Sequence, residues 1–355
     1  GQFQIVDVVQ LFAPICKMTK QIVNANTIPS LVREAFRIAE EEKPGPVLLE
    51  LPEDIAEEAA EVVDLILPGE RHYAVAGKKV INAAANAIKS AKRPLVLIGA
   101  GANRKEARRA ISEFIGMIGL PFCNTQMGKG VVDESSSYFL GTAALSDKDY
   151  LHDYIKLADL IVNIGHDVVE KPPFFMEHGG AEVIHINYKS AQVDQVYFPQ
   201  IEVVGDIALT VDALADALGS RLDIDLEDFE KVRDNVKGKI FPLDEEPVFP
   251  MRPQNIVSAI RNLMGYHDII ALDNGVYKIW FARNYLAFQP NTILLDNALA
   301  TMGAGLPSAM LAAMIHPNRK VMSICGDGGF MMNSQEIETA VRLNLNLVVL
   351  ILNDN

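Results

Sequence analysis

The sequence predicts an α/β protein made of parallel sheets that are covered by helices on both faces. Apolar runs of four to six residues alternate with longer stretches in which apolar side chains recur at helical spacing. Strands of a parallel sheet are buried on both faces, so they appear in a sequence as continuous apolar runs. The chain has 355 residues, which corresponds to about two or three domains of ordinary size.

The composition of the chain argues against two classes of partner, nucleic acids and membranes. Acidic residues outnumber basic ones by 46 to 32, which gives a net charge of −14, and no basic run stands out. We therefore expect no nucleic-acid partner. No apolar run approaches the roughly 20 residues of a membrane span, so a membrane partner is not predicted either. Cys16, Cys123 and Cys325 lie far apart without a CxxC pair, which argues against a zinc or disulfide framework and fits a cytoplasmic location.

The two ends of the sequence look internal. The first residues contain no basic segment of the kind that begins a signal peptide. The last residues, 348–355, are an apolar run followed by the start of a loop. Domain boundaries usually fall in exposed linkers rather than directly after a buried strand. We therefore expect further chain on both sides.

Four segments follow from the alternation of apolar runs and helical patterns. Residues 1–66 are predicted to be the C-terminal end of a first domain, with a helix over 27–42 and a strand over 47–51. Residues 72–222 are predicted to form a central Rossmann-like domain, and residues 254–355 the N-terminal part of a third domain. The charged, Pro-containing stretch 223–253 is predicted to be a connection with a short helix inside it.

The two larger segments have the most regular patterns. The central segment is predicted to contain helices over 78–91 and 105–116 and strands over 94–99, 120–123, 160–165, 182–186 and 201–204. The third segment is predicted to contain helices over 256–264, 306–315 and 334–343, and strands over 268–272, 292–295, 320–325 and from 348 onward.

The strongest chemical signal is the run Gly326-Asp327-Gly328-Gly329, which directly follows an apolar strand. Glycines let backbone N–H groups come close to a phosphate, and a carboxylate can hold a hard cation. Asp354 follows Asp327 by 27 residues, which is room for one helix and one returning strand. Two carboxylates at neighbouring strand ends, together with phosphate oxygens, would form an octahedral Mg²⁺ site.

This spacing resembles the diphosphate and Mg²⁺ motif of thiamine-diphosphate enzymes. Residues 273–280 resemble the loop that receives the diphosphate in acetolactate synthases, and residues 297–307 resemble their loop under the cofactor rings. The block 323–355 is most similar to the catabolic acetolactate synthases. The resemblance covers nearly the whole chain, and its motifs are specific in the last third and loose in the middle. It implies three α/β domains of the pyruvate oxidase and decarboxylase type, with thiamine diphosphate and Mg²⁺ as cofactors.

The resemblance also implies roles for individual residues. Asp327 and Asp354 would ligate Mg²⁺, although the family more often has Asn at the second position. Met302 would support the bent form of the cofactor, and the carbonyl of Ala300 would accept a hydrogen bond from its amino group. A residue with the spacing of Met302 could equally be an ordinary core methionine. The residues expected near the diphosphate are Gly275, Val276, Tyr277, Lys278, Gly326, Gly328 and Gly329.

Further features of the family bear on substrate and activity. Gln4 and Phe12 match a substrate-facing region of the first domain, with packing at the domain end as the alternative. The position of Lys278 more often carries His or Gln in this branch of the family. The family also uses a Glu of the first domain to activate the cofactor. That Glu would lie upstream of Gly1, so we expect the chain alone to be inactive.

The implied activity is decarboxylation of pyruvate and joining of the product to a second 2-oxo acid, which gives acetolactate. In this family the cofactor bridges two subunits, so a homodimer or homotetramer is expected. Two alternatives remain open. The first is another thiamine-diphosphate enzyme, such as a 2-oxo acid decarboxylase, an aldehyde carboligase or pyruvate oxidase. The second is a non-catalytic nucleotide-binding module with the same fold.

A dinucleotide site in the central segment is the remaining cofactor alternative. Residues 99–103 read Gly-Ala-Gly-Ala-Asn after a strand, but Arg104 takes the place of the third glycine of GxGxxG. Some members of the family bind FAD in this domain. Residues 166–170 resemble the branch without FAD, so FAD is an alternative that the sequence disfavours.

Overall fold

The computed structural model describes residues 6–61, 73–143, 149–167, 170, 178–192, 197–241, 249–297 and 299–353. The chain divides into two compact units, Gly1–Tyr73 and Ala74–Asn355. Parallel sheets with packed helices make up both units, so the predicted α/β class is confirmed. Where each predicted domain begins and ends stays a prediction.

The first unit contains a small parallel sheet. Its elements are α1 (Val8–Phe12), β1 (Met18–Gln21), α2 (Ile28–Glu40), β2 (Val47–Glu50) and α3 (Glu53–Ala56). β1 pairs with β2 in parallel, with Met18 opposite Val47. The predicted helix and strand of this segment are confirmed as α2 and β2. β1 was not predicted, because its sequence Met-Thr-Lys-Gln is half-exposed and has no apolar run.

The second unit contains a six-stranded parallel sheet. Its strands are β3 (Pro94–Ile98), β4 (Phe122–Thr125), β5 (Phe139–Ala143), β6 (Leu160–Ile164), β7 (Glu182–Asn187) and β8 (Ile201–Val204). The spatial order is β5-β4-β3-β6-β7-β8, so the order reverses between β3 and β6. All five strands predicted for this segment are confirmed. β5 was not predicted, because Gly141 and Thr142 interrupt its apolar pattern.

Helices cover both faces of this sheet. They are α4 (Lys78–Ser90), α5 (Lys105–Ile118), α6 (His152–Ile155), α7 (Ile207–Leu218) and α8 (Glu227–Ile240). Successive residues of a strand point to opposite faces. Accordingly, Val96 and Ile98 pack with α4, α5 and α7, whereas Leu95 and Leu97 pack with α6 and α8. The central segment is therefore the three-layer arrangement that its sequence predicts.

The stretch 223–253 differs from the simple connection that we predicted. Its helix, α8, is 14 residues long, and three of its side chains join the core on one face of the six-stranded sheet. Those side chains are Phe229, Val236 and Ile240, which recur at helical spacing among charged residues. The charged residues dominate the composition of the stretch and conceal the apolar stripe.

A four-stranded parallel sheet forms the rest of the second unit. Its elements are α9 (Pro253–Leu263), β9 (Ile269–Leu272), α10 (Val276–Asn284), β10 (Ile293–Leu294), α11 (Gly305–Ile315), β11 (Val321–Gly326), α12 (Asp327–Met332), α13 (Glu336–Arg342) and β12 (Val348–Leu352). The order is β10-β9-β11-β12. Ile270 and Leu272 pack toward α9 and α10, and Ile269 and Ala271 toward α11. The predicted strands and helices of this segment are confirmed, and α10 and α12 are additional helices.

None of the helices in the described ranges combines the length and the apolar character that crossing a bilayer requires.

Candidate functional site

The candidate site lies at the carboxyl edge of the four-stranded sheet. Loops leave this edge after β9, β10 and β11, and they carry residues 273–275, 295–304 and the start of α12. Parallel strands end at the same edge, which is where open α/β sheets bind ligands. The segments that the sequence singled out are therefore brought together by the topology.

A buried carboxylate, that of Asp273, holds these loops in place. Its Oδ1 accepts hydrogen bonds from the backbone N–H groups of Asn274 at 2.8 Å, Gly303 at 2.8 Å and Ala304 at 3.1 Å. Asp273 is fully buried. Charge-assisted bonds of this kind are stronger than bonds between neutral groups. Asp273 thus fastens the end of β9 to the loop that carries Met302, a role that the sequence analysis did not assign to it.

Two glycines allow helices to approach Asp273 closely. A Cβ at Gly329 would overlap Oδ2 of Asp273, and a Cβ at Gly305 would lie 2.7 Å from its Cβ. The first turns of α11 and α12 therefore pack directly against the side chain of Asp273. A residue larger than glycine at Gly305 or Gly329 would prevent this contact. For Gly329 the structure shows a packing role, and its contact with a cofactor stays a prediction.

Tyr277 covers two of the four glycines that we predicted for diphosphate binding, Gly275 and Gly326. The N–H of Gly326 donates to the hydroxyl oxygen of Tyr277 at 2.9 Å. A Cβ would lie 2.5 Å from Tyr277 Cε1 at Gly275 and 3.1 Å from it at Gly326. Burial raises the pKa of Tyr277, so the side chain is a neutral phenol at ordinary pH. The Gly326 amide is therefore bound to Tyr277 in this structure, and a diphosphate that uses this amide would have to displace the hydroxyl.

Lys278 is buried beside the same loop. Its ammonium donates to Asn274 Oδ1 at 2.7 Å and to the backbone carbonyl of Asp296. Burial lowers the pKa of Lys278, and the nearby carboxylates of Asp296 and Asp273 act in the opposite direction. These contacts fix Lys278 along the wall of the site. Whether Lys278 contacts a diphosphate stays a prediction, as it does for Val276, which is largely exposed at the start of α10.

The loop before α11 adopts an uncommon backbone conformation. Ala300 has φ of +49°, in the left-handed region that residues with a Cβ seldom adopt. The neighbouring Thr301 is held at both backbone groups: its carbonyl accepts from Asn274 Nδ2 at 2.7 Å, and its N–H donates to Asp296 Oδ2 at 3.0 Å. Left-handed residues that are fixed by their surroundings cluster at functional sites.

Met302 lies next to the glycine run after β11. Its Cε would be 3.5 Å from a Cβ at Gly328, which is ordinary van der Waals contact. The side chain of Met302 is 44% exposed, so Met302 is not the ordinary core methionine that its spacing also allowed. The structure therefore joins two of the predicted segments, residues 297–307 and 326–329.

A pocket of about 400 Å³ opens between these loops. It receives one residue from the six-stranded sheet, Gln126, which follows β4. Four lining residues were not predicted as site residues: Gln126, Asn274, Ile279 and Asn297. Asn274, Ile279 and Asn297 lie inside segments that the sequence singled out, whereas nothing near Gln126 in the sequence points to this pocket. The pocket is lined by Gln126, Asn274, Gly275, Lys278, Ile279, Asn297, Ala300 and Met302.

The predicted metal site is described only in part. Asp327 is exposed at the first position of α12, directly after β11. β11 and β12 are neighbours, with Gly326 opposite Leu352, as the spacing predicted. Asp354 lies outside the described residues. Among the described residues, no group of three or more His, Cys, Asp or Glu side chains is placed to hold a metal.

The predicted substrate residues belong to the first unit. Gln4 lies outside the described residues. Phe12 is half-buried at the end of α1. Their role toward a substrate stays a prediction.

Two family models match the chain. The model described as "Thiamine pyrophosphate enzyme, central domain" matches residues 81–214, and the one described as "Thiamine pyrophosphate enzyme, C-terminal TPP binding domain" matches residues 273–355. The two matches together cover more than half of the chain: the first contains all strands of the six-stranded sheet, and the second begins directly after β9 and contains the other three strands of the four-stranded sheet. The chain therefore belongs to the thiamine pyrophosphate enzyme family, which confirms the resemblance seen in the sequence.

Individual relatives point to one branch of this family. The chain is 33% identical to "Acetolactate synthase, catabolic" of Raoultella terrigena and 31% identical to "Acetolactate synthase" of Bacillus subtilis, each over 99% of its length. It is 29% identical over 98% of its length to "Probable acetolactate synthase large subunit" of Methanococcus aeolicus. The chain spans 64%, 62% and 62% of the length of these three relatives.

Proposed function

We propose that this chain is the larger part of a thiamine-diphosphate-dependent acetolactate synthase. The enzyme would decarboxylate pyruvate and join the product to a second 2-oxo acid. The observation that carries the proposal is the pocket lined by left-handed Ala300 and exposed Met302, in which Met302 lies beside Gly328 of the glycine run. The three relatives named as acetolactate synthases support this activity over the alternatives in the same family.

The residues of the pocket fit thiamine diphosphate. The cofactor, when bound, supplies the electron sink for decarboxylation. Met302 and Ile279 offer apolar contact for its rings, and the carbonyl of Ala300 would accept a hydrogen bond from its amino group. The first amides of α10 would receive the diphosphate, because a helix N-terminus attracts anions.

Mg²⁺ would link the diphosphate to the sheet edge. Asp327 presents an exposed carboxylate there, and Asp354 follows β12, the neighbouring strand. Oxygen ligands from two carboxylates and two phosphates, completed by water or a carbonyl, match the preference of Mg²⁺. The metal would also offset the negative charge that Asp354 adds beside a diphosphate.

The substrate side of the proposal involves Gln126. It enters the pocket from the six-stranded sheet, opposite the loop of Ala300 and Met302. A side-chain amide can both donate and accept, so it can bind the carboxylate or the carbonyl of a 2-oxo acid.

We include a homodimer or homotetramer and a cytoplasmic location in the proposal. The latter agrees with three cysteines that form no disulfide.

Product analysis tests the proposed reaction. The complete reading frame that contains this chain is incubated with pyruvate, Mg²⁺ and thiamine diphosphate, without oxygen or flavin. We expect one acetolactate for each carbon dioxide, and no product when thiamine diphosphate is omitted. Carbon dioxide with acetaldehyde and without acetolactate would assign the protein to the decarboxylases. Bound cofactor without any product would contradict pyruvate as the donor.

A further inference from the structure

The six-stranded sheet has a ligand position of its own. Its strand order reverses between β3 and β6, and open α/β sheets bind ligands at the carboxyl edge of such a switch point. The glycine loop 99–102 follows β3 at this edge, and Gly165 follows β6. In dinucleotide-binding sheets of this order, the loop after the first strand receives a diphosphate.

The two loops at this position touch each other. Gly101 N–H donates to the carbonyl of Gly165 at 2.7 Å. A Cβ at Gly99 would lie 2.7 Å from the same carbonyl, and a Cβ at Gly165 would overlap the backbone nitrogen of Ala102. The glycines therefore serve contact between two stretches of backbone.

The one backbone donor of the loop that remains, the N–H of Ala100, faces a carboxyl group of the chain itself. Glu170, only 6% exposed, accepts hydrogen bonds from Ala100 N–H at 2.9 Å, from Asp167 N–H at 3.2 Å and from the hydroxyl of Thr125. A Cβ at Gly99 would lie 2.6 Å from Glu170 Oε2. The carboxyl group of Glu170 thus lies on the glycine loop and takes the amide of Ala100, a donor of the kind that binds phosphate in such loops.

We infer that Glu170 is an internal ligand of the switch-point crevice, which takes the place of a phosphate and excludes the diphosphate of a dinucleotide. Glu170 is therefore a specificity-determining residue of the central segment. It joins the loops after β3, β4 and β6, because its three donors come from Ala100, Thr125 and Asp167. The inference concerns the six-stranded sheet and does not depend on the reaction proposed for the other site.

Titration with ADP-ribose tests the inference. The complete protein is first saturated with thiamine diphosphate and Mg²⁺, so that the other diphosphate pocket is filled, and heat is recorded as ADP-ribose is added. Four proteins are compared: the wild type, Glu170→Ala, Glu170→Gln and Glu182→Ala, whose side chain is exposed on the same sheet. We expect Glu170→Ala to bind ADP-ribose at least about tenfold more tightly than each of the other three proteins, because the Ala100 amide loses its internal partner.

Two results would overturn the inference. One is binding by the wild type as tight as that of Glu170→Ala, and the other is a folded Glu170→Ala protein that binds no ADP-ribose. Amide hydrogen exchange on Glu170→Gln gives a second readout if the Ala variant does not fold. Gln has one acceptor oxygen for two backbone donors, so exchange should accelerate at Ala100 or Asp167 and stay unchanged in β7. Unchanged exchange at both amides would also contradict the inference.

Discussion

Asp273 shows how a single residue can organise the candidate cofactor site. Its carboxylate accepts three backbone N–H groups and lies against two glycines, so it fixes the loop of Met302 relative to β9. A carboxylate has acceptors only, which suits a ring of donors. In an Asn side chain an NH₂ group would replace Oδ2, which accepts from the N–H of Gly303 at 3.0 Å, so one donor would face another.

Replacement of Asp273 by Asn should therefore weaken both folding and cofactor binding. The amide NH₂ would face backbone donors, and a buried donor without a partner costs about 1–3 kcal/mol. We expect a decrease of that size in the free energy of unfolding in urea and a lower affinity for thiamine diphosphate. The exposed Asp216→Asn is the matched control. Equal stability and equal affinity in the two variants would contradict the role assigned to Asp273.

α12 provides a prediction at the scale of one element. Gly328 and Gly329 are adjacent in its first turn, but their surroundings differ. A Cβ at Gly329 would overlap the carboxylate of Asp273, whereas a Cβ at Gly328 would only touch Met302 Cε at 3.5 Å. We expect Gly329→Ala to lower the free energy of unfolding by about 1–3 kcal/mol and Gly328→Ala to leave it nearly unchanged. Thermal unfolding of both variants checks this, and similar melting temperatures would show that α12 does not pack as described.

The ionisation of Glu170 at the switch point should make the free energy of unfolding depend on pH. Burial raises the pKa of Glu170 to about 7, whereas an unfolded Glu titrates near about 4.3. A carboxyl group whose folded pKa is raised favours folding at low pH, and this contribution is lost as pH rises from the unfolded to the folded pKa.

The wild type should accordingly lose stability relative to Glu170→Gln between about pH 4 and about pH 7, by up to roughly 3 kcal/mol. His166, with Nδ1 3.7 Å from Glu170 Oε2, and Asp167 also face this carboxyl group. They are present in both proteins, so the comparison isolates the contribution of Glu170. Urea unfolding across this range measures it. A difference in stability that does not change with pH would show that Glu170 titrates near its ordinary value.

Elements with a strong local signal were predictable from the sequence. β3 and β6 are continuous apolar runs, and both were found within a residue of their predicted ends. α12 was missed because two glycines in a six-residue helix oppose helix formation, and tertiary packing against Asp273 overrides that preference. The extent of α8 was missed because its apolar stripe is narrow.

At the scale of the whole molecule, contacts between distant segments supply the part of the site that the sequence could not predict, which is Gln126. Gln126 reaches the pocket because the loop after β4 is held by Glu134, which is buried and accepts from Lys129 and from the backbone of Ala287. These partners are separated by up to 153 residues. Motifs identified the loops around Gly275, Met302 and Asp327, since each carries its own local pattern, but no local pattern marks a residue delivered by another sheet.

The most direct test of the account is the binding of thiamine diphosphate to the complete protein and to its Asp327→Ala variant, measured by calorimetry with and without Mg²⁺. We predict that the wild type binds only with Mg²⁺ and that the variant loses about a hundredfold in affinity or more, because an exposed carboxylate at the end of β11 is the proposed metal ligand. Asp216→Ala should bind like the wild type. An Asp327→Ala protein with unchanged affinity and unchanged dependence on Mg²⁺ would contradict the proposed cofactor site.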